Sequence, residues 1–191
     1  MPDQFNILDS SVPEIADALV TGEETFSRAL AATSNAILTG NEALRLCYFT
    51  ARKTESISQV RVITGSTAAG ATPTLIRIGV WTANGAGALL AQQAATASDT
   101  SLLAASATRY TKAFAAPFTK QRGQRYAVGI LVVTAATLPT LVGHGTAIQA
   151  AEAGVDPMIS AVVNGQADLP ATVAAGSITG SANRPYFVLL P

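Results

Sequence analysis

Five carboxylates in the body of the chain, Glu55, Asp99, Glu152, Asp156 and Asp168, are the residues with the right chemistry for acid–base catalysis. Cleaving a sugar linkage requires two such groups held at a fixed separation, and all five fall in expected turns or loops. His144 lies between Gly143 and Gly145 with no Cys or Asp near it in sequence, the setting of an exposed loop histidine rather than a general base. Cys47 is the only cysteine, so no internal disulfide can form, and with one histidine the chain offers no zinc set. Placed in an expected strand, Cys47 reads as a small core residue. The glycine pairs Gly85/Gly87 and Gly143/Gly145 lack the third glycine and the following helix of a phosphate cradle, and read as turns. Arg45, Arg61, Arg77, Arg109, Arg122 and Arg125 are spread over several strands without the interleaved aromatics of a single-strand nucleic-acid binder, so contact with an acidic arm is the better reading. Trp81 and Tyr110, each in or near a strand end, are candidate surface aromatics for stacking on a glycan, against the alternative of ordinary packing. No catalytic, metal or cofactor set emerges, and the expectation is a protein without chemistry of its own.

Whatever the chain presents must be positioned by strands. From Tyr126, counting by two gives Tyr126, Val128, Ile130 and Val132 on one face and Ala127, Gly129 and Leu131 on the other, after a Gly123-Gln124 turn. Leu75 to Trp81 repeats the pattern, with Ile76, Ile78 and Val80 on one side and Arg77 and Gly79 on the other. One face of each is expected to be core. Further strands are expected at Leu44 to Tyr48, around Gln59 to Val62, at Ala88 to Gln92 after an Asn84-Gly85 turn, at Arg109 to Phe114, at Leu138 to Val142, and at Tyr186 to Leu190. Shorter ones are expected near Met158 to Val163 and Ala171 to Val173. Many short strands with turns between them and no interleaved amphipathic helices predict an all-β, antiparallel two-sheet β-sandwich of jelly-roll type.

A chain of 191 residues can bury a self-sufficient core. Its zero net charge is a cancellation: residues 1–42 carry seven acidic side chains against Arg28 alone, and the rest of the chain is correspondingly basic. Two units follow, an acidic N-terminal arm over 1–42 and a sandwich body over 43–191. In the arm, Ser11, Pro13, Glu14 and Gly22 punctuate a short helix with a narrow apolar stripe of Ile15 and Leu19. A helix that short needs a surface to rest on. Phe5, Ile7, Leu8, Ile15, Leu19 and Phe26 are therefore the candidate arm contacts, with a basic face of the body or of a neighbouring copy as partner. No run approaches the roughly 18 apolar residues of a membrane helix and no signal peptide is recognisable, so a soluble protein is expected. The low charged fraction, 13%, suits a surface partly covered by neighbours.

Tyr48-Phe49-Thr50-Ala51-Arg52 leading into Ser56 to Val62, then Ile76 to Trp81 with Ala83-Asn84-Gly85, then Phe118 followed by Gly123 to Gly129, resemble a β-sandwich module of tailed-phage virion proteins, especially of phages infecting actinobacteria. Asp3-Gln4-Phe5-Asn6-Ile7-Leu8-Asp9 also looks like the start of such proteins. The resemblance covers about half the chain and brings no catalytic residue. It implies a trimeric jelly-roll subunit on the virion surface, assembled in the host cytoplasm. As a capsid decoration protein its partners would be its own copies and the major capsid protein. The alternatives are a minor tail protein, with tail proteins as partners, and a module that recognises a host surface glycan.

Overall fold

A computed structural model of the chain describes residues 22–38, 40–70, 73–133, 137–145 and 155–191, with backbone alone over 32–38. The expected helix of the arm lies outside them. The described residues form thirteen strands: β1 (Glu23–Glu24), β2 (Ala32–Leu38), β3 (Leu44–Thr50), β4 (Glu55–Ile63), β5 (Leu75–Ala83), β6 (Leu89–Ala95), β7 (Arg109–Lys120), β8 (Arg125–Val133), β9 (Thr140–Gly145), β10 (Ser160–Val163), β11 (Thr179–Gly180), β12 (Asn183–Pro185) and β13 (Phe187–Leu190). The named strands pair antiparallel throughout.

One sheet runs β1-β13-β4-β7 and the other β11-β10-β3-β8-β5-β6. From β3 to β8 successive strands cross between the two sheets except at the β5–β6 hairpin, and β1 lies by β13, β4 by β7 and β3 by β8. This nesting of two Greek keys is the jelly roll. A third sheet, β12-β9-β2, continues the four-stranded one through a Thr64–Leu141 bridge and the Tyr186 amide donating to the Val142 carbonyl. The flank where β6 meets β7 is closed by a bridge between Thr96 and Phe114.

Between the sheets lies a core of Ile57, Val60, Val62, Ile76, Ile78, Val80, Phe118, Tyr126, Val128, Ile130 and Phe187, among others. The alternation expected for β5 and β8 places those residues inward. Their other face differs from the expectation, because it is buried as well. Leu44, Leu46, Tyr48, Trp81, Ala127 and Leu131 form a second core, covered by residues of the later segment including Met158, Leu169, Val173 and Ile178. Two glycines make room for it. Gly79 and Gly129 are directly opposed on β5 and β8; a Cβ on Gly79 would come within 2.5 Å of the Trp81 ring, and one on Gly129 within 2.6 Å of the Leu46 side chain.

The expected boundary at residue 43 also moves. Glu23 and Glu24 pair with Leu189 and Val188, and β2 pairs with β9, so residues 22–38 belong to the body's sheets. The physical reason is that the four-stranded sheet and its extension each need an edge strand from this segment to complete their ladders. Residues 1–21, outside the described residues, hold Asp3, Asp9, Glu14 and Asp17 and no Lys or Arg.

Candidate functional site

Among the described residues, those singled out as catalytic candidates do not converge on one another. Asp99 is ion-paired with Lys112 and accepts from the Ser101 hydroxyl, and Asp168 takes both contacts from Arg77, at 2.7 and 2.8 Å. Asp156 is exposed, and Glu152 lies outside the described residues. His144 is on β9 opposite Arg184 rather than in a free loop. Cys47 is buried, and its sulfur accepts from Arg184 Nε at 3.3 Å. Among the described residues no three His, Cys, Asp or Glu side chains are placed to hold a metal ion, and no helix is long and apolar enough to cross a membrane.

Trp81 is a correction. Of its two readings, surface aromatic and ordinary packing, the second holds: it is fully buried, lies over Gly79, and donates its indole N–H to the Pro170 carbonyl at 2.8 Å. It presents no face to a sugar, because the segment carrying Pro170 covers it. Tyr110 is half-buried and its hydroxyl accepts from the Ala105 amide at 2.8 Å. Phe26, expected as an arm contact, is buried against its own chain: its ring meets Tyr186 edge-on at 5.4 Å and lies 4.7 Å beneath the Arg184 guanidinium. Phe5, Ile7, Leu8, Ile15 and Leu19 lie outside the described residues.

The most organised polar arrangement is at the base of the N-terminal segment, where β1 joins the body. Lys120, at the end of β7, is fully buried. Its ammonium donates to the Lys53 carbonyl at 2.9 Å and stands 2.8 Å from Glu23 Oε2 and 3.5 Å from Glu55 Oε2. Glu23 Oε1 accepts from the Arg52 amide at 2.9 Å, and Glu55 Oε1 is paired with Lys53 at 3.0 Å and faces the Gly22 amide. The directed hydrogen bond goes to the carbonyl, so the carboxylates are held mainly by charge. One lysine thereby ties β1, the β3–β4 turn and the end of β7 together.

A second clamp lies a few residues on. The Thr25 amide donates to the Phe187 carbonyl at 3.0 Å, and the Phe187 amide to Thr25 Oγ1 at 3.1 Å. Arg184 Nη2 donates to the carbonyls of Thr25 and Tyr48, each at 2.9 Å. A buried amine beside carboxylates is chemistry a nucleophile or base can use elsewhere, but Lys120 is sealed from solvent and fully paired. The arrangement can hold the segment in place; it offers nothing to a substrate.

Lys120 is not among the residues singled out from the sequence. The signal was present, because counting by two from Phe114 and Phe118 reaches Lys120 on the same inward face of β7. A cation at that register demands a buried anion.

Three carboxyls titrate below their ordinary range. Burial pushes Glu55 up, but the Lys53 contact, the Gly22 amide and the charges of Lys53 and Lys120 outweigh it. Lys112, then Ser101, bring Asp99 down to about 2. For Asp168 burial again opposes, and the Leu169 amide with Arg77 prevails. Each contributes stability above its unfolded pKa of about 4 that is lost as pH falls through the lower folded value. The denaturation midpoint is therefore expected to fall steeply between about pH 4.5 and 2. A urea titration followed by Trp81 fluorescence across that range checks it, and a flat profile would contradict the assignment.

No family model matches the chain, and no curated protein matches it.

Proposed function

We propose that the chain is a non-enzymatic structural subunit of a phage virion, a capsid decoration protein that binds the outside of the particle as a symmetric oligomer, a homotrimer, with residues 1–21 as its fastener. The observation that carries this reading is the buried lock at Glu23, Glu55 and Lys120. It fastens Gly22 to Glu24, which directly follow the acidic residues 1–21, to the sandwich body, so that a binding contact made by that segment would be passed into the sandwich. The resemblance of the Tyr48 to Gly129 segments to virion sandwich modules supports the same reading.

The test is removal of residues 2–21, which leaves every described strand in place. The shortened chain is expected to remain folded and to lose attachment to particles, scored by co-sedimentation and by electron microscopy of particles with and without the protein. Retained attachment would remove the leader as fastener. A change confined to the tail tip, with the shell unaltered, would move the assignment to a minor tail protein.

A further inference from the structure

The outer face of the four-stranded sheet carries a recess of about 140 Å³ lined by Arg28, Arg61, Ile63, Arg109, Tyr186 and Val188. Strand register explains why these residues meet. Glu24, Val188, Arg61 and Thr111 lie in one cross-strand row, and Ile63 opposite Arg109 is the next position on the same face. The floor is apolar and the walls are guanidinium groups. Arg28 is paired with Glu24 and donates to the Tyr186 hydroxyl at 3.3 Å. Arg61 donates only to Thr111 Oγ1, at 3.1 Å, and Arg109 is exposed; neither has a carboxylate partner among the described residues. Of the six arginines that sequence reading grouped as a basic face, these are the two the fold brings side by side with their charges free. Arg77 is paired with Asp168, while Arg45 and Arg125 are partly buried.

We infer that this arginine-walled recess seats acidic side chains of residues 1–21 from a second copy of the chain. Charge complementarity argues for the occupant, since that segment carries four carboxylates and no Lys or Arg. Its apolar residues Phe5, Ile7 and Leu8 suit the floor of Ile63, Val188 and the Tyr186 ring.

Geometry argues for a second copy. β1 enters the sheet at the end where Glu55 and Lys120 lie and runs toward the end where Ile63 and Arg109 lie. Glu24 shares the row of Arg61 and Glu23 that of Val60, so going back toward Gly22 the strand runs away from the recess, and residues of the same chain before Gly22 reach it only by reversing direction there. A donor segment on one surface and a receptor recess on another make a head-to-tail contact, which closes into a ring when the rotation between copies allows.

The inference rests on the reading of the chain as a self-assembling surface subunit, but its test uses purified full-length protein without particles, so the two can fail separately. Sedimentation equilibrium of the wild type is expected to show an oligomer at about 0.1 M NaCl that dissociates toward about 1 M. Arg61→Glu/Arg109→Glu and, separately, Asp9→Lys/Glu14→Lys are each expected to weaken association by about a hundredfold, roughly tenfold per lost charge contact. All four substitutions in one chain are expected to restore it. Both arginines lie on an outer face, and the melting temperature of each variant verifies that it is folded. A wild type that stays monomeric overturns the inference, as does an oligomer indifferent to both charge reversals. Failure of the four-fold variant to reassemble overturns the leader as occupant.

Discussion

Lys120→Met is expected to destabilise the protein by about 3–5 kcal/mol at pH 7, the cost of leaving buried charge without its partner. Lys120 is fully buried, and the Oε2 atoms of Glu23 and Glu55 that it faces are themselves shut off from water. Methionine fills the space of the stem but supplies no charge. Glu23 then keeps only the Arg52 amide against its buried charge, whereas Glu55 keeps Lys53 and the Gly22 amide, so the stranded charge is that of Glu23. Stability lost in this way grows as pH rises and is recovered on acidification. The variant is therefore expected to be nearer the wild type at about pH 5 than at pH 7, opposite in slope to the wild type's own acid response. Adding Glu23→Gln removes the stranded charge and is expected to return most of the loss, as replacement of whole buried ion groups often does. Urea denaturation at the two pH values, with hydrogen exchange at Glu23 and Glu24, measures both effects. A loss below about 1 kcal/mol at pH 7 would mean that the cluster holds nothing.

Trp81→Ala is expected to cost about 3–5 kcal/mol, the range for deleting a buried large aromatic. The substitution empties the space above Gly79 and leaves the Pro170 carbonyl without its indole donor. For a chain of this size the melting temperature should drop by roughly 6–20 °C. Exchange protection should fall around Ala171 and Val173, whose backbone is bonded to Gln92 and Leu89. Trp81 is the only tryptophan, so its wild-type emission should be that of a dry indole and shift to the red on unfolding. Wild-type emission already at the solvent value would refute its burial.

Much of the fold is legible in period-two patterning. β5 and β8 stand where alternation of Ile, Val and Leu puts them, because branched side chains on one pleated face must find a core. The second core was harder to see. Arg77, Gly79, Ala127 and Gly129 look like a solvent face by composition; the smallness of Gly79 and Gly129 in fact admits Trp81 and Leu46 on that side of the sheet, and no local pattern says which distant segment will cover them. The edge role of residues 22–38 was hidden for a related reason. β1 is two residues long, and its place depends on Leu189 and Val188 at the far end of the chain. The lock at Lys120 is legible only as half a statement: strand register demands an anion, but which anion depends on how three separate turns come together. Arg61 and Arg109 likewise lie 48 positions apart in sequence, and only strand pairing makes them neighbours.

The bridge between Thr96 and Phe114 has a consequence for crowding. It seals one flank of the sandwich, and the edge of β6 is further occupied by the backbone of Val173 and Ala171. On the opposite flank of the four-stranded sheet the outermost strand is only two residues long. Among the described residues, the unpaired amide rows that template cross-strand fibre growth are thus short at β1 and partly covered at β6. Copies packed shoulder to shoulder at high local density can meet through side chains while remaining discrete, so a lattice of them would be tiled, with reversible seams, rather than fused into one continuous ribbon.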